Sequence, residues 1–216
     1  MISDKERTKG ESSEKLGSHT TILFDLAGVI VKSGFWDWVK SHTPDETQHD
    51  QYRDMSDAVD SGKITDDEFS KQLGKLSHRS PMVVSNELDA AFTPIQDTVE
   101  ILKELKEQGY PLILVTNFSQ VRANVILDKY DLRKYFNRIF ISSQMGLIKP
   151  SPEFFQTVNG ILGKSPTQEI FIDDSERNIQ AAKKEGITES WHFTGAQDLR
   201  QRFEQAHILV PKQLKA

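Results

Sequence analysis

Residues 20–29 read Thr20-Thr21-Ile22-Leu23-Phe24-Asp25-Leu26-Ala27-Gly28-Val29, and this stretch decides the fold. A short β-branched, aliphatic and aromatic run is too brief for a buried helix, so it predicts a central β-strand over residues 20–26. Gly28 marks a turn soon after, which puts Asp25 near the strand's carboxyl end. Four later runs have the same character: residues 112–116 (LILVT), 138–142 (RIFIS), 169–173 (EIFID) and 190–193 (SWHF). Each is followed by a helical pattern. After Pro94, the residues Ile95, Val99, Leu102 and Leu105 recur at helical spacing, with Gly109 placed as a C-terminal stop. Ser151-Pro152-Glu153 reads as an N-cap followed by proline at the first helical position, opening a helix through Phe154, Phe155, Val158 and Leu162. Residues 175–186 and 196–206 complete the alternation. Strand and helix taking turns through short links predict an α/β fold, a Rossmann-like, three-layer, mostly parallel sheet covered on both faces.

More than eighty residues separate the first two strands, too many for one crossover helix. Helical patterns at 35–40, 44–59 and 65–76 fill the interval, the last opened by the capping-box spacing Thr65-Asp66-Asp67-Glu68. Residues 34–93 therefore read as an inserted helical cap, with the core formed by 20–33 and 94–216. Residues 1–19 carry charges of both signs and no apolar stretch, and read as a disordered tail. A chain of 216 residues suits one such domain with its insertion.

Formal net charge is -5, so no whole-molecule positive field gathers nucleic acid or an anionic membrane, and neither is expected as a partner. Cysteine is absent, which excludes a disulfide framework, thiol catalysis and a thiolate metal site. Nowhere do eighteen apolar residues run together, so no bilayer-spanning helix is expected. The expectation is a cytoplasmic protein, monomer or homodimer.

In an open parallel sheet, ligands bind beyond the carboxyl ends of the strands, at a topological switch point. The residues expected there are Asp25, Thr116-Asn117, Lys149 in the loop after the third strand, and Asp173-Asp174. They offer an anionic nucleophile, a hydroxyl, a cation and a pair of metal-type carboxylates. Each has a plainer reading as well. An aspartate ending a strand is more often a turn or cap residue, and Asp173-Asp174 also suits capping of the helix that follows. Thr116 can be a buried strand hydroxyl, and Lys149 a solvated loop lysine.

In order along the chain, Phe24-Asp25-Leu26-Ala27-Gly28-Val29, Leu114-Val115-Thr116-Asn117, Lys149-Pro150 and Phe171-Ile172-Asp173-Asp174-Ser175 with Asn178 resemble the four motifs of the haloacid dehalogenase-like hydrolases. The resemblance implies sheet order 5-4-1-2-3, a cap inserted after the first motif, and a Mg²⁺-dependent phosphatase acting on a small phosphorylated metabolite such as a sugar phosphate. It implies that Asp25 is the nucleophile, forming an aspartyl-phosphate. Thr116, Asn117 and Lys149 would hold the substrate phosphate, with Thr116 and Lys149 counted among the catalytic residues. Asp25, the backbone carbonyl of Ala27 and Asp174 would hold the metal, with Asp173 and Asn178 supporting. The cap would choose the substrate, and Trp36, Trp38, Tyr52, Arg53 and Lys63 either line it or serve as packing and solvated surface.

The sequence departs from the family pattern at Ala27. Most phosphatases of the family carry there a second aspartate that protonates the leaving oxygen and later activates water. A methyl group does neither, and losing a positioned general acid costs on the order of 10²–10⁴ in rate. Turnover is then expected to be slow. The departure has a place in the subgroup similar to bacterial sugar-phosphate phosphatases and the N-terminal domain of epoxide hydrolases, some of whose members carry glycine there, and whose cap the segment 60–69 (DSGKITDDEF) resembles. The alternatives are a non-catalytic or impaired binding protein with this fold, a phosphonoacetaldehyde hydrolase-like enzyme, or a haloacid dehalogenase. The last uses no metal, and the acids at 173 and 174 argue against it.

Overall fold

The computed structural model describes residues 20–42, 49–163, 168–187 and 189–211. The expected tail lies outside the described residues, as do residues 44–48 of the expected helix at 44–59.

Five strands form one sheet: β1 (Thr20–Phe24), β2 (Leu112–Thr116), β3 (Arg138–Ile141), β4 (Gln168–Asp173) and β5 (Glu189–His192). Their order is β3-β2-β1-β4-β5, which is the expected 5-4-1-2-3, and every pairing is parallel. Side chains alternate across the sheet with period two, so each face acquires its own apolar layer. Ile22, Phe24, Leu112, Leu114, Ile170 and Ile172 face one cluster, which is completed by α5 (Gln96–Glu107), α6 (Gln120–Lys129) and α10 (Ala196–Gln205). Leu23, Ile113, Val115 and Phe171 face the other, completed by α8 (Pro152–Leu162) and α9 (Glu176–Lys184). The expected three layers are present.

Helices α1 (Gly34–His42), α2 (His49–Asp60), α3 (Asp66–Ser77) and α4 (Pro81–Ala91) lie between β1 and α5 in the chain. They bury a separate cluster that includes Trp38, Tyr52, Phe69, Leu73, Val84 and Leu88. The capping box of α3 forms in both directions, Glu68 N–H donating to Thr65 Oγ1 at 3.2 Å and Thr65 N–H donating to Glu68 Oε2 at 2.8 Å. The segments entering and leaving this insertion run side by side. Lys32 N–H donates to the Thr93 carbonyl at 2.8 Å, Ile95 N–H donates to the Ile30 carbonyl at 2.8 Å, and Val31 pairs antiparallel with Pro94.

Three elements were not anticipated in the sequence, one of them a single 3-10 turn at Arg133–Tyr135. Helix α4 is opened by Ser80, whose hydroxyl accepts from Val83 N–H, with Pro81 following, the same signal that opens α8. Helix α7 (Ser142–Met145) is a single turn ended by Gly146, too short to show periodicity. No helix among the described residues is long and apolar enough to cross a membrane.

Candidate active site

Strand β1 stops at Phe24, and Asp25 N–H still donates to the Ile172 carbonyl of β4 at 2.9 Å. Asp25 thereby stands where β1 is flanked by β2 on one side and β4 on the other, the point at which strand order reverses. The chain then turns back on itself, with the Leu26 carbonyl accepting from Ile30 and Val31 N–H and Gly28 N–H donating to the Val31 carbonyl at 2.7 Å. Gly28 has φ +84°, and a Cβ there would lie 2.0 Å from Asp174 Oδ2. Glycine is required twice over, for the backbone angle and for room beneath the Asp174 carboxylate.

Lys149 is 3% exposed and its ammonium is fully used. It donates to Asp173 Oδ2 at 2.6 Å, to the Val115 carbonyl at 2.9 Å and to Asp25 Oδ1 at 2.9 Å. Asn117 fixes the loop that delivers it, its Oδ1 accepting from Lys149 N–H and its Nδ2 donating to the Lys149 carbonyl, both at 2.8 Å. The second N–H of Asn117 Nδ2 is not used in this pairing, and the residue also lines a cavity above the strand ends. Asn178 Nδ2 donates to both oxygens of Asp173 at 3.0 Å, and Ser175 N–H donates to Asp173 Oδ1 at 2.8 Å. Asp173 therefore also satisfies the start of α9, where Ser175 offers no side-chain cap. Asp174 is exposed.

One carboxylate oxygen from each of Asp25, Asp173 and Asp174 lies within 4.8 Å of the others. Burial pushes the Asp25 carboxyl up to about 7 against the pull of Lys149, with Asp173 and Asp174 adding to the rise. Burial opposes the charge on Lys149, yet Asp173 and then Asp25 hold its ammonium protonated and raise it overall. Asp174 is also raised, first by loss of solvent and then by Asp173. Three carboxylates against one ammonium leave the strand ends short of positive charge. Thr116 is wholly buried at the end of β2, and its hydroxyl has no hydrogen-bond partner among the described residues.

Above these groups lies a cavity of about 290 Å³, bounded by Asp25, Ala27, Asn117 and Asp174 below and by residues of α1 to α4 above. Of the insertion residues considered in the sequence, Trp36 lines it. Trp38 and Tyr52 instead pack into the insertion's own core, and Trp38 Nε1 donates to Glu87 at 2.9 Å. Arg53 lies over the Trp36 ring at 5.9 Å and pairs with Asp50, and Lys63 is exposed away from the cavity. Polar residues that line it without a site role assigned from the sequence include Ser33, Ser56, Asp60, Ser119 and Arg122. Ser119 carries a local signal, as the N-cap of α6, its hydroxyl accepting from Arg122 N–H at 3.2 Å.

A parallel sheet with carboxylates and a lysine gathered beyond its strand ends defines a Rossmann-like α/β protein with its ligand site at the switch point. Residues 22–191 match the model of the haloacid dehalogenase-like hydrolases, and the chain belongs to that family. Phosphoglycolate phosphatase of Escherichia coli (strain K12) is 32% identical over 143 residues, covering 64% of this chain. The chain spans only 56% of that relative's length. D-ribitol-5-phosphate phosphatase of Bacteroides thetaiotaomicron is 26% identical over 197 residues, covering 83% of this chain and 94% of its own. A haloacid dehalogenase-family enzyme of Bacteroides thetaiotaomicron, solved in complex with magnesium and inorganic phosphate, superposes with TM-score 0.70 at 22% identity, covering 86% of this chain and all of that one. That likeness establishes the fold.

Proposed function

We propose that the protein is a Mg²⁺-dependent phosphoric monoester hydrolase acting on a small phosphorylated metabolite, with Asp25 as nucleophile and residues 34–93 as a cap over the site. The observation that carries this reading is the convergence of Asp25, Asp173 and Asp174 within 4.8 Å, with Lys149 bonded to two of them. The phosphatase activities of the two named relatives support the reaction class.

The donor set suits a hard divalent cation, because it is all oxygen, partly open at Asp174, and sets three carboxylates against the one ammonium of Lys149. Asp25, the Ala27 carbonyl and Asp174 would hold it. When bound, Mg²⁺ supplies charge neutralisation for Asp25 and the phosphoryl oxygens.

The remaining work belongs to the chain. The Asp25 carboxylate attacks phosphorus, forming the Asp25 O–P bond as the bond to the leaving oxygen breaks, and the leaving alkoxide takes its proton from solvent. Water then attacks phosphorus, the Asp25 O–P bond breaks, and phosphate departs. Lys149 offsets charge on Asp25 and the phosphoryl group from a position fixed by Asn117. The Thr116 hydroxyl, unpaired among the described residues, donates to a phosphoryl oxygen. Asp173 and Asn178 keep Lys149 in place.

Asp25→Asn is expected to abolish phosphate release from para-nitrophenyl phosphate, and EDTA to do the same to the wild type. An undiminished rate in the variant rejects Asp25 as nucleophile, and indifference to EDTA rejects the metal.

A further inference from the structure

The cavity lining mixes two chemistries. Asp25, Ala27 and Asp174 belong to the strand ends, where the phosphoryl group would bind. The lining also includes Trp36, Phe69 and Phe118 and two further ionisable side chains, Asp60 at the last position of α2 and Arg122 on α6. Among the described residues that line the cavity, Arg122 is the only cation, and its charge is already taken. It is 6% exposed, its Nη1 lies 2.5 Å from Asp89 Oδ1 of α4 and its Nη2 lies 3.6 Å from Asp66 Oδ1 of α3. Asp66 Oδ1 also accepts from Ser119 Oγ at 2.7 Å. A carboxylate on an incoming leaving group would meet Asp60 on the cavity lining and, among the described lining residues, no free positive charge to pair with.

Asp60 is held where it is by the core rather than by its own helix alone. Ser142 Oγ of α7 donates to the Asp60 carbonyl at 2.5 Å, and two residues on, Gly62 packs so closely on Ser143 that a Cβ would lie 2.8 Å from the Ser143 carbonyl oxygen. The backbone that carries the Asp60 carboxylate therefore keeps a fixed place beside the cavity. Ser56 Oγ donates to Asp60 Oδ2 at a long 3.4 Å, a bond easily exchanged for one with a ligand hydroxyl.

Resting on the phosphatase reading above, we propose that Asp60 sets the substrate class: the site takes phosphate esters of small, uncharged, hydroxylated leaving groups and turns away esters that carry a second anionic group. A cavity of about 290 Å³ is at the small end for ligand sites, which limits the leaving group to a few carbons. The aromatic walls cover the carbon skeleton, and Asp60 with Ser56 meets its hydroxyls.

The discrimination should vary with pH. Burial pushes the Asp60 carboxyl up to about 7, repulsion from Asp57 on its own helix and Asp66 on α3 adds to this, and Ser56 and Arg122 oppose it. Below that pH, Asp60 is neutral and repels a second anion less. Above it, the repulsion is complete.

The test is kcat/KM for two matched pairs, glycerol 3-phosphate against 3-phosphoglycerate and 2-hydroxyethyl phosphate against 2-phosphoglycolate, whose members differ by a carboxylate in place of a hydroxymethyl group. Ionisation of the phosphate itself cancels within each pair. Wild type should favour the uncharged member by at least about tenfold at pH 8, and the ratio should shrink toward pH 6. Asp60→Asn, or Asp60→Ser should the amide misfold, should cut the ratio several-fold and flatten its pH dependence. Equal use of both members by an active wild type overturns the selectivity and leaves the phosphatase intact. An unchanged ratio in both variants overturns the role of Asp60. Failure to hydrolyse either pair or para-nitrophenyl phosphate overturns the phosphatase reading and the selectivity with it.

Discussion

At residue 27 a methyl group borders the cavity, and under the proposed reaction no side chain at that position can hand a proton to the leaving oxygen. An aryl leaving group departs as a stable anion and needs little help, whereas an alkyl alkoxide needs the proton. Ala27→Asp is therefore expected to raise kcat for an alkyl phosphate by about 10² while raising that for para-nitrophenyl phosphate much less. An equal gain on both esters, or none on either, shows that residue 27 does not limit proton transfer. The residues legible in the sequence are those tied to a strand end, since Asp25, Thr116, Lys149 and Asp173-Asp174 each follow a run that announces a strand. Asp60 and Arg122 follow no such marker. They reach the cavity because helices packed over the sheet carry them there, and no local pattern encodes that packing. Asn117 was legible as a residue at the site, but its side-chain contact with the Lys149 backbone depends on two loops meeting.

Among the elements, α6 ties the insertion to the core through a single side chain. Arg122 pairs with Asp89 of α4 and Asp66 of α3, all three partly or fully removed from solvent. Arg122→Met keeps the apolar stem and removes the charge, leaving two carboxylates without their cation. The expected cost is about 2 kcal/mol, between that of exposed and fully buried pairs. Amide hydrogen exchange should quicken in α3 and α4 while β1, β2 and β4 stay protected. Uniform acceleration through the sheet would show that the pairs do not hold the insertion in particular. Element types were legible wherever periodicity ran long enough, as in α5 and α8. Strand ends were less so: the apolar run continues to Leu26, but β1 stops at Phe24 because the chain has begun its sharp turn. Strand β5 starts one residue earlier than its sequence suggests, for Glu189 is polar yet pairs with Ile170 in register.

Across the whole molecule, stability should depend on pH through carboxyls that fold into poor surroundings. Asp60 is raised from 3.8 to about 7 on folding, so between those values the folded chain binds more protons than the unfolded one. Its contribution to stability accordingly falls as pH rises from about 4 to about 7 and stays low above. Asp60→Asn removes this loss. Relative to wild type in EDTA, the variant should gain on the order of 4 kcal/mol at pH 8 and about 1 kcal/mol at pH 4.5, read from urea midpoints. A gain of the same size at both pH values would point to packing instead of charge.

The hydrogen bonds joining Lys32 to Thr93 and Ile30 to Ile95 have a consequence for how such a protein can change. Because the chain departs from the sheet and rejoins it at adjacent points, everything between those points is a module on a two-stranded stem. A graft made at the stem exchanges one set of helices for another without rethreading a single strand. The insertion's share of the cavity wall can be replaced wholesale in this way, while the aspartates and the lysine at the strand tips are inherited untouched.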